Sequence, residues 1–270
     1  MKIGVLGRVT GLALGAATAA ASIALAVAPA SSAATRSVAP TSATAVSRTT
    51  SVAATPRTLK EGMSGSDVLA LQHRLWGLHY WPGPKIDGKF THDVTEAVWA
   101  FQAINGMKED GVVGPATAAA LAHPKAYKAQ YPHAAATRIE VNINANVQVL
   151  VLFKSNAPYL ISHVSSGGGY TYCSKGSCNH KAITPTGIYT LHSYIPGPVT
   201  VPLGLMYNPV FFIGTAYAIH GDGSVPVYPA SHGCIRIPNN LSKTFHTMIT
   251  VSYSHGTQVE IYNRSGVQHL

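Results

Sequence analysis

Cys234 follows His232 by two residues and His220 by fourteen in the run Ile219–Pro238, IHGDGSVPVYPASHGCIRIP. An ordinary thiol, with a pKa near ~8.5, is only about 3% ionised at pH 7. An imidazole in hydrogen-bond reach can take its proton during attack on a carbonyl and return it to a leaving amine. That is the chemistry these residue types permit; the plainer reading makes Cys234 a small buried apolar residue. On an extended segment His232 lies on the same side as Cys234, whereas His220 must arrive from a neighbouring strand end. Spacing does not choose between them.

Ser231 to Ile237 reads as a turn running into a strand, and Pro238, four residues after the cysteine, argues against a helix opening there. Papain-like folds, whose nucleophilic cysteine opens a helix and precedes its histidine, therefore fit poorly. The order here is histidine first, cysteine second.

Whether Cys234 is free depends on the other two cysteines and on the compartment. Lys2 and Arg8, an Ala-rich apolar run over residues 9–28, Pro29 and the small residues to Ala34 form the parts of a secretory signal peptide, with cleavage near Ala33 or Ala34. An uncleaved anchor is the competing reading, since the run approaches the ~20 residues that span a bilayer. Its alanines and glycines make it weakly hydrophobic, which favours cleavage, export and no stable membrane insertion afterwards. In an oxidising compartment Cys173 and Cys178, five apart in YTYCSKGSC, are expected to pair. A metal site joining them to His180 is the alternative, and it lacks the second ligand pair usual in structural zinc sites. Pairing leaves Cys234 as the unpaired thiol, which an exported protein keeps only for a use.

The formal charge is +9, falling to +7 without Lys2 and Arg8. Such a chain is drawn to polyanions, of which a bacterial wall is one. No Lys/Arg block is present, and the scattered basic residues argue against nucleic acid. Residues 34–57 are a Ser/Thr/Ala/Pro tract, expected to be a flexible linker.

Residues 58–122 read as a small three-helix bundle. Ser64-Gly65-Ser66-Asp67 can cap a helix carrying Val68, Leu71, Leu75 and Leu78; Val94, Ala97, Val98 and Phe101 mark a second; Pro115 opens a third, to Leu121. Asp87-Gly88-Lys89-Phe90 and Asp110-Gly111-Val112-Val113, 23 residues apart, echo one another, with Thr95 and Thr117 in matching places. After a linker at 123–136 the period becomes two. Ile139, Val141 and Ile143 alternate with Glu140, Asn142 and Asn144, and strands are expected through Val147–Phe153, Tyr159–Val164, Gly187–His192, Val210–Ile219 and Thr257–Tyr262. One short helix is expected at Leu241–Ile249, capped by Asn240. His73, His79, His92, His163, His192 and His255 read as surface or strand-end residues.

The pieces LKEGMSGSDVLALQHRL, DGKFTHDVTEAVWAFQAINGM and DGVVGPATAAAL resemble the peptidoglycan-binding-domain-1 family. Ala218–Gly221 (AIHG), Ser231–Arg236 (SHGCIR), Val164–Gly168 (VSSGG) and Thr184–Leu191 (TPTGIYTL) make residues 137–264 resemble the catalytic domain of the L,D-transpeptidases, the YkuD-like family. The resemblance implies a mostly-β, β-sandwich-like domain with one short helix. It implies Cys234 as nucleophile, His220 as base, the Gly221 carbonyl orienting His220, Gly233 in the oxyanion region, and Ser231, His232 and Arg236 shaping the substrate pocket. The implied reaction forms 3→3 cross-links in peptidoglycan, held by the helical module, with no metal or cofactor. An L,D-carboxypeptidase using the same cysteine and a non-catalytic wall-binding protein are the competing readings.

Overall fold

The computed structural model describes residues 57–131 and 135–265, all within one compact unit. The expected leader lies outside these residues, as does the tract after it apart from Arg57. Among the described residues no helix is long and apolar enough to cross a membrane.

Helices α1 (Ser66–Gly77), α2 (His92–Ile104) and α3 (Pro115–Ala122) form the first module. The expected cap of α1 differs. The N-cap is Gly65, which has no side chain to cap with; inside the first turn Asp67 Oδ1 accepts the Val68 N–H at 2.9 Å while its Oδ2 pairs with Arg57 Nε at 2.6 Å. The two Asp-Gly turns are held alike, each by a buried glutamine. Gln72 Oε1 accepts the Gly88 N–H at 2.7 Å, and Gln102 Oε1 accepts the Gly111 N–H at 2.9 Å. The repeat therefore includes the glutamines thirty residues apart that buttress the turns.

The second module stacks two sheets. One has the order β3 (Ala157–His163), β2 (Val147–Lys154), β1 (Arg138–Asn144), β12 (Gln258–Tyr262), β6 (Gly187–Thr190). The other runs β11 (Ile235–Pro238), β10 (Tyr217–Asp222), β9 (Gly204–Ile213), β7 (Ser193–Tyr194), with β8 (Pro198–Val201) also on β9. A separate hairpin pairs β4 (Thr171–Ser174) with β5 (Ser177–Lys181). The run expected as one strand over Val210–Ile219 is broken at Gly214–Ala216 into β9 and β10. The short helix is α4 (Asn239–Phe245), continued by a 3₁₀ turn to Met248; its N-cap is Pro238 rather than Asn240.

Strand β2 explains why the modules adhere. Leu150 and Leu152 enter the core between the sheets with Ile139, Val141, Phe212, Ile219, Ile235 and Ile237. Val147, Val149, Val151 and Phe153 face the other way, into one core with Phe101, Val98 and Leu75 of the helices. A strand buried on both faces reads as an unbroken apolar run, as VQVLVLF does. The edge of β3 is covered by the first module: Trp81 N–H donates to the Ile161 carbonyl at 3.1 Å, and Ile161 N–H to the His79 carbonyl at 2.7 Å.

The connection between modules is packed as well. Tyr127 is buried, its hydroxyl reaching Glu140 Oε2 at 3.2 Å and the Tyr262 hydroxyl at 2.9 Å. Glu140 is itself fully buried. Arg138 binds its Oε1 twice, at 3.1 and 3.0 Å, and Gln130 N–H donates to its Oε2 at 2.8 Å, so the buried charge is both paired and hydrogen-bonded.

Candidate functional site

Strands β10 and β11 run parallel, with Ile219 opposite Ile235 and His220 opposite Arg236. Ile219, Ile235 and Ile237 point into the core between the sheets. The alternate positions His220, Cys234 and Arg236 therefore share the opposite face. The parallel pairing brings together two segments that turn chemistry alone could not align.

On that face lies a cavity of about 890 Å³, and Cys234, His220, Ser231, His232 and Arg236 all line it. One wall is the β4–β5 hairpin, which presents Tyr172, Ser174 and Lys175 and is closed by a disulfide between Cys173 and Cys178. The β8–β9 hairpin also lines the cavity, with Val201, Leu203, Leu205 and Met206. Cys234 is the free cysteine and is half-buried. Its Sγ points to the Ala216 carbonyl at 3.8 Å. Among the described residues no group of three or more His, Cys, Asp or Glu is arranged to hold a metal ion.

His220 is 4% exposed, and its Nδ1 lies 2.9 Å from the Gly221 carbonyl. A carbonyl only accepts, so Nδ1 carries the proton and Nε2 keeps its lone pair. Burial lowers the imidazole pKa, partly offset by the Gly221 bond and by Asp222. Burial likewise pushes the Cys234 thiol up, against a backbone bond from Ala218 and the Arg236 charge, which lower it. His232 takes a different place: its ring meets those of Tyr172 and Tyr170, at centroid distances of 4.7 and 5.5 Å. Arg236 pairs with Asp222, Nε to Oδ2 3.1 Å.

The turn before Cys234 is laced from both sides. Ser231 Oγ donates to the Cys234 carbonyl at 2.6 Å and accepts the Gly233 N–H at 3.0 Å. Thr184 Oγ1 donates to the Gly233 carbonyl at 2.7 Å while accepting the Gly167 N–H at 2.8 Å. Gly168 N–H reaches the Ser231 carbonyl at 3.0 Å, and Ser165 bridges Arg236. The SHGC turn is thus tied to the VSSGG loop through Thr184. Gly221 and Gly233, also expected at the site, do not line the cavity themselves but neighbour His220 and Cys234, which do.

Sequence reasoning placed Thr184 only as the start of the TPTGIYTL landmark, with no role of its own, and did not single out Tyr172 or Tyr217. Thr184 could be sought in the repeated polar-Pro punctuation of TPTG. Tyr172 and Tyr217 carry no local signal, because only the hairpin fold and the β9–β10 break bring them to the thiol.

Comparison with known proteins adds two family matches. Residues 136–261 match the YkuD family, described as the L,D-transpeptidase catalytic domain, and residues 64–121 match a peptidoglycan binding domain family. A solved L,D-transpeptidase from Xylanimonas cellulosilytica DSM 15894 is 36% identical, covering 77% of this chain and 98% of its own, with a TM-score of 0.66. The N-acetylmuramoyl-L-alanine amidase CwlL of Bacillus licheniformis is 42% identical over 83 residues, 28% of this chain. That match spans only 23% of the amidase's length.

Proposed function

Because the chain belongs to the L,D-transpeptidase family and carries a peptidoglycan binding domain ahead of the catalytic one, we propose that Cys234 is the nucleophile of an acyl transfer between peptidoglycan stem peptides. The observation that carries this reading is His220. Its Nδ1–H is tied to the Gly221 carbonyl, leaving Nε2 as a free base in the cavity that Cys234 lines.

The opposed shifts of the two groups define the resting state. With the imidazole lowered and the thiol raised, both are uncharged at neutral pH. His220 therefore acts as a general base at the moment of attack rather than as half of a standing ion pair. Sγ attacks the carbonyl carbon of the third, diamino-acid residue of a tetrapeptide stem as its proton passes to Nε2. The Gly233 N–H is already held by Ser231 Oγ, so the Cys234 N–H is assigned to the developing oxyanion; one such donor is worth roughly 3–4 kcal/mol in other enzymes. Collapse breaks the amide, Nε2–H protonates the departing D-alanine amine, and a thioester remains. An amine of a second stem attacks this thioester and gives up a proton to His220. A 3→3 amide forms and the thiol is regenerated. Water in place of the amine would leave a tripeptide.

Several features support the wider reading. The peptidoglycan binding domain and the basic chain, +9 overall, suit a wall-associated protein acting outside the cytoplasm. His232, against the rings of Tyr170 and Tyr172, and the Arg236–Asp222 pair shape the pocket beside the thiol.

Incubating the purified protein with a tetrapeptide stem tests the reaction. A 3→3 dimer with release of D-alanine is expected, and Cys234→Ala should abolish both. Tripeptide alone would make the protein an L,D-carboxypeptidase. Turnover retained in Cys234→Ala would remove the cysteine mechanism altogether.

A further inference from the structure

The outer face of the first sheet is covered over only part of its width. In register across β1, β12 and β6 stand Glu140, Glu260 and Ile188, all on the face turned away from the core between the sheets. Over β1 the chain that connects the modules seals this face, and Glu140 is satisfied there by Arg138, Tyr127 and Gln130. Toward β6 that cover stops. Ile188, on this edge strand, is 65% exposed.

A cavity of about 480 Å³ lies at that margin, within the size range of small-ligand sites. It shares no lining residue with the cavity at Cys234, and the two lie on opposite outer faces of the sandwich. Glu260 lines it and is 2% exposed; its Oε2 is buried with no hydrogen-bond partner among the described residues. A buried acceptor left in this way costs free energy that a ligand's donor would relieve. Tyr131 and Tyr262 wall the cavity, their rings 5.6 Å apart and inclined at 63°. The Arg264 guanidinium lies 5.6 and 5.7 Å from their centroids, and none of the described ion pairs takes it up. Its backbone is pinned by Asn142, whose Oδ1 accepts the Arg264 N–H at 3.2 Å and whose Nδ2 donates to the Arg264 carbonyl at 3.0 Å.

These groups discriminate between ligand classes. An ammonium would meet a like charge at the tyrosine rings, where Arg264 already sits. Burial and the adjacent Glu140 carboxylate also push the Glu260 carboxyl up, against Arg138, which disfavours the negative charge an ammonium needs. A sugar ring has the opposite requirements. Its C–H face packs on aromatic and aliphatic side chains such as Tyr131 and Ile188, while its hydroxyl and acetamido groups hydrogen-bond to a carboxyl and a guanidinium.

We propose that this cavity is a second glycan site, holding an amino-sugar strand of peptidoglycan on the side of the catalytic domain away from Cys234. The inference rests on the reading of peptidoglycan as substrate. Because the cavity faces away from the thiol, it serves attachment to the wall rather than the cleavage step.

The test titrates the full chain with a tetramer of N-acetylglucosamine and follows isoleucine methyl groups by NMR. A local reporter is needed because the helical module can bind glycan as well. The Ile188 signal is assigned by its loss in Ile188→Val. It is expected to shift and saturate with sugar, and in Arg264→Ala the midpoint should rise roughly tenfold, the worth of one charge-assisted hydrogen bond. Turnover of a soluble tetrapeptide stem by Arg264→Ala should stay within about twofold of wild type in kcat and KM. An Ile188 signal that stays put would overturn the glycan site. So would one that moves equally with a sugar-free tetrapeptide stem, or one whose midpoint is unchanged in Arg264→Ala. If wild type showed no turnover while Ile188 still answered the sugar, the cysteine reading would fall and the glycan site would stand.

Discussion

The indole of Trp99 meets the imidazole of His163 at 65°, with centroids 5.4 Å apart. Trp99 belongs to α2 of the helical module, and His163 closes β3 of the sheet. On its far side His163 Nε2 donates to the Pro226 carbonyl at 3.0 Å, in the segment leading to the cysteine turn. Two contacts therefore connect the peptidoglycan binding domain to the rim of the site. A second link runs from Asn240 Nδ2 on α4 to Asp93 Oδ2 on α2, 3.0 Å.

His163 makes stability pH-dependent. It is fully buried, its Nδ1 has no partner, and burial, opposed by bonds to backbone carbonyls, lowers its pKa to about 4. The unfolded chain protonates the same ring near ~6.5. The unfolded state thus binds more protons between these values, and stability that is full above pH ~6.5 is lost as pH falls toward about 4. The loss amounts to roughly 3 kcal/mol. His163→Gln, which retains a donor for Pro226, should be free of it. Thermal melts of the two proteins should diverge from pH 6.5 downward; parallel curves would contradict this account.

The shared core predicts cooperative unfolding. Phe101 of α2 is 0% exposed and packs in one cluster with Val149, Val151 and Phe153 of β2. Phe101→Ala should cost about 3–5 kcal/mol, and the cost should be felt by both modules. Calorimetry should give one transition that moves as a whole. A second transition left in place by the mutation would show the modules to be independent.

Gly233 tests the geometry of the turn. Its φ of 138° is nearly inaccessible to L side chains, and a Cβ would lie 2.7 Å from the Tyr217 ring and 2.9 Å from the Ile183 carbonyl. Gly233→Ala must move the turn that carries Cys234. We expect a loss of about 1–3 kcal/mol in stability and of the order of a hundredfold in kcat. Turnover within about twofold of wild type, with an unchanged melt, would mean that the turn has slack the packing does not suggest.

The helices and most strands were legible because their signals are local. Val68, Leu71 and Leu75 keep helical spacing, and β1 keeps strict alternation. Cys234 and His220 were legible as residue types in a short run, yet their shared face follows from the parallel pairing of β10 with β11, a long-range fact. Glu140, Asn142 and His163 look like surface residues in the chain and are buried in the fold. What hides them is the packing of the helical module and of Tyr127 across a sheet face, which no local pattern announces. Asn208 and Ser242 were illegible for a related reason: each is an ordinary polar residue until the fold supplies its partners.

The disulfide gives the last prediction. Cys173 and Cys178 close a hairpin that carries Tyr172, Ser174 and Lys175 into the cavity wall, with the Tyr172 ring against His232. The bridged loop is short, so its contribution to global stability is small, about 2 kcal/mol by chain entropy. Its effect on the pocket should be larger, because the free hairpin is two short strands on their own and such ribbons are marginal in water. Replacing both residues by serine leaves no odd thiol to compete for Cys234. The double variant should raise KM for a stem peptide several-fold while kcat at saturation changes little, since His220 and Gly221 stand on β10, away from the hairpin. A fall in kcat with KM unchanged would place the hairpin in the chemical step instead.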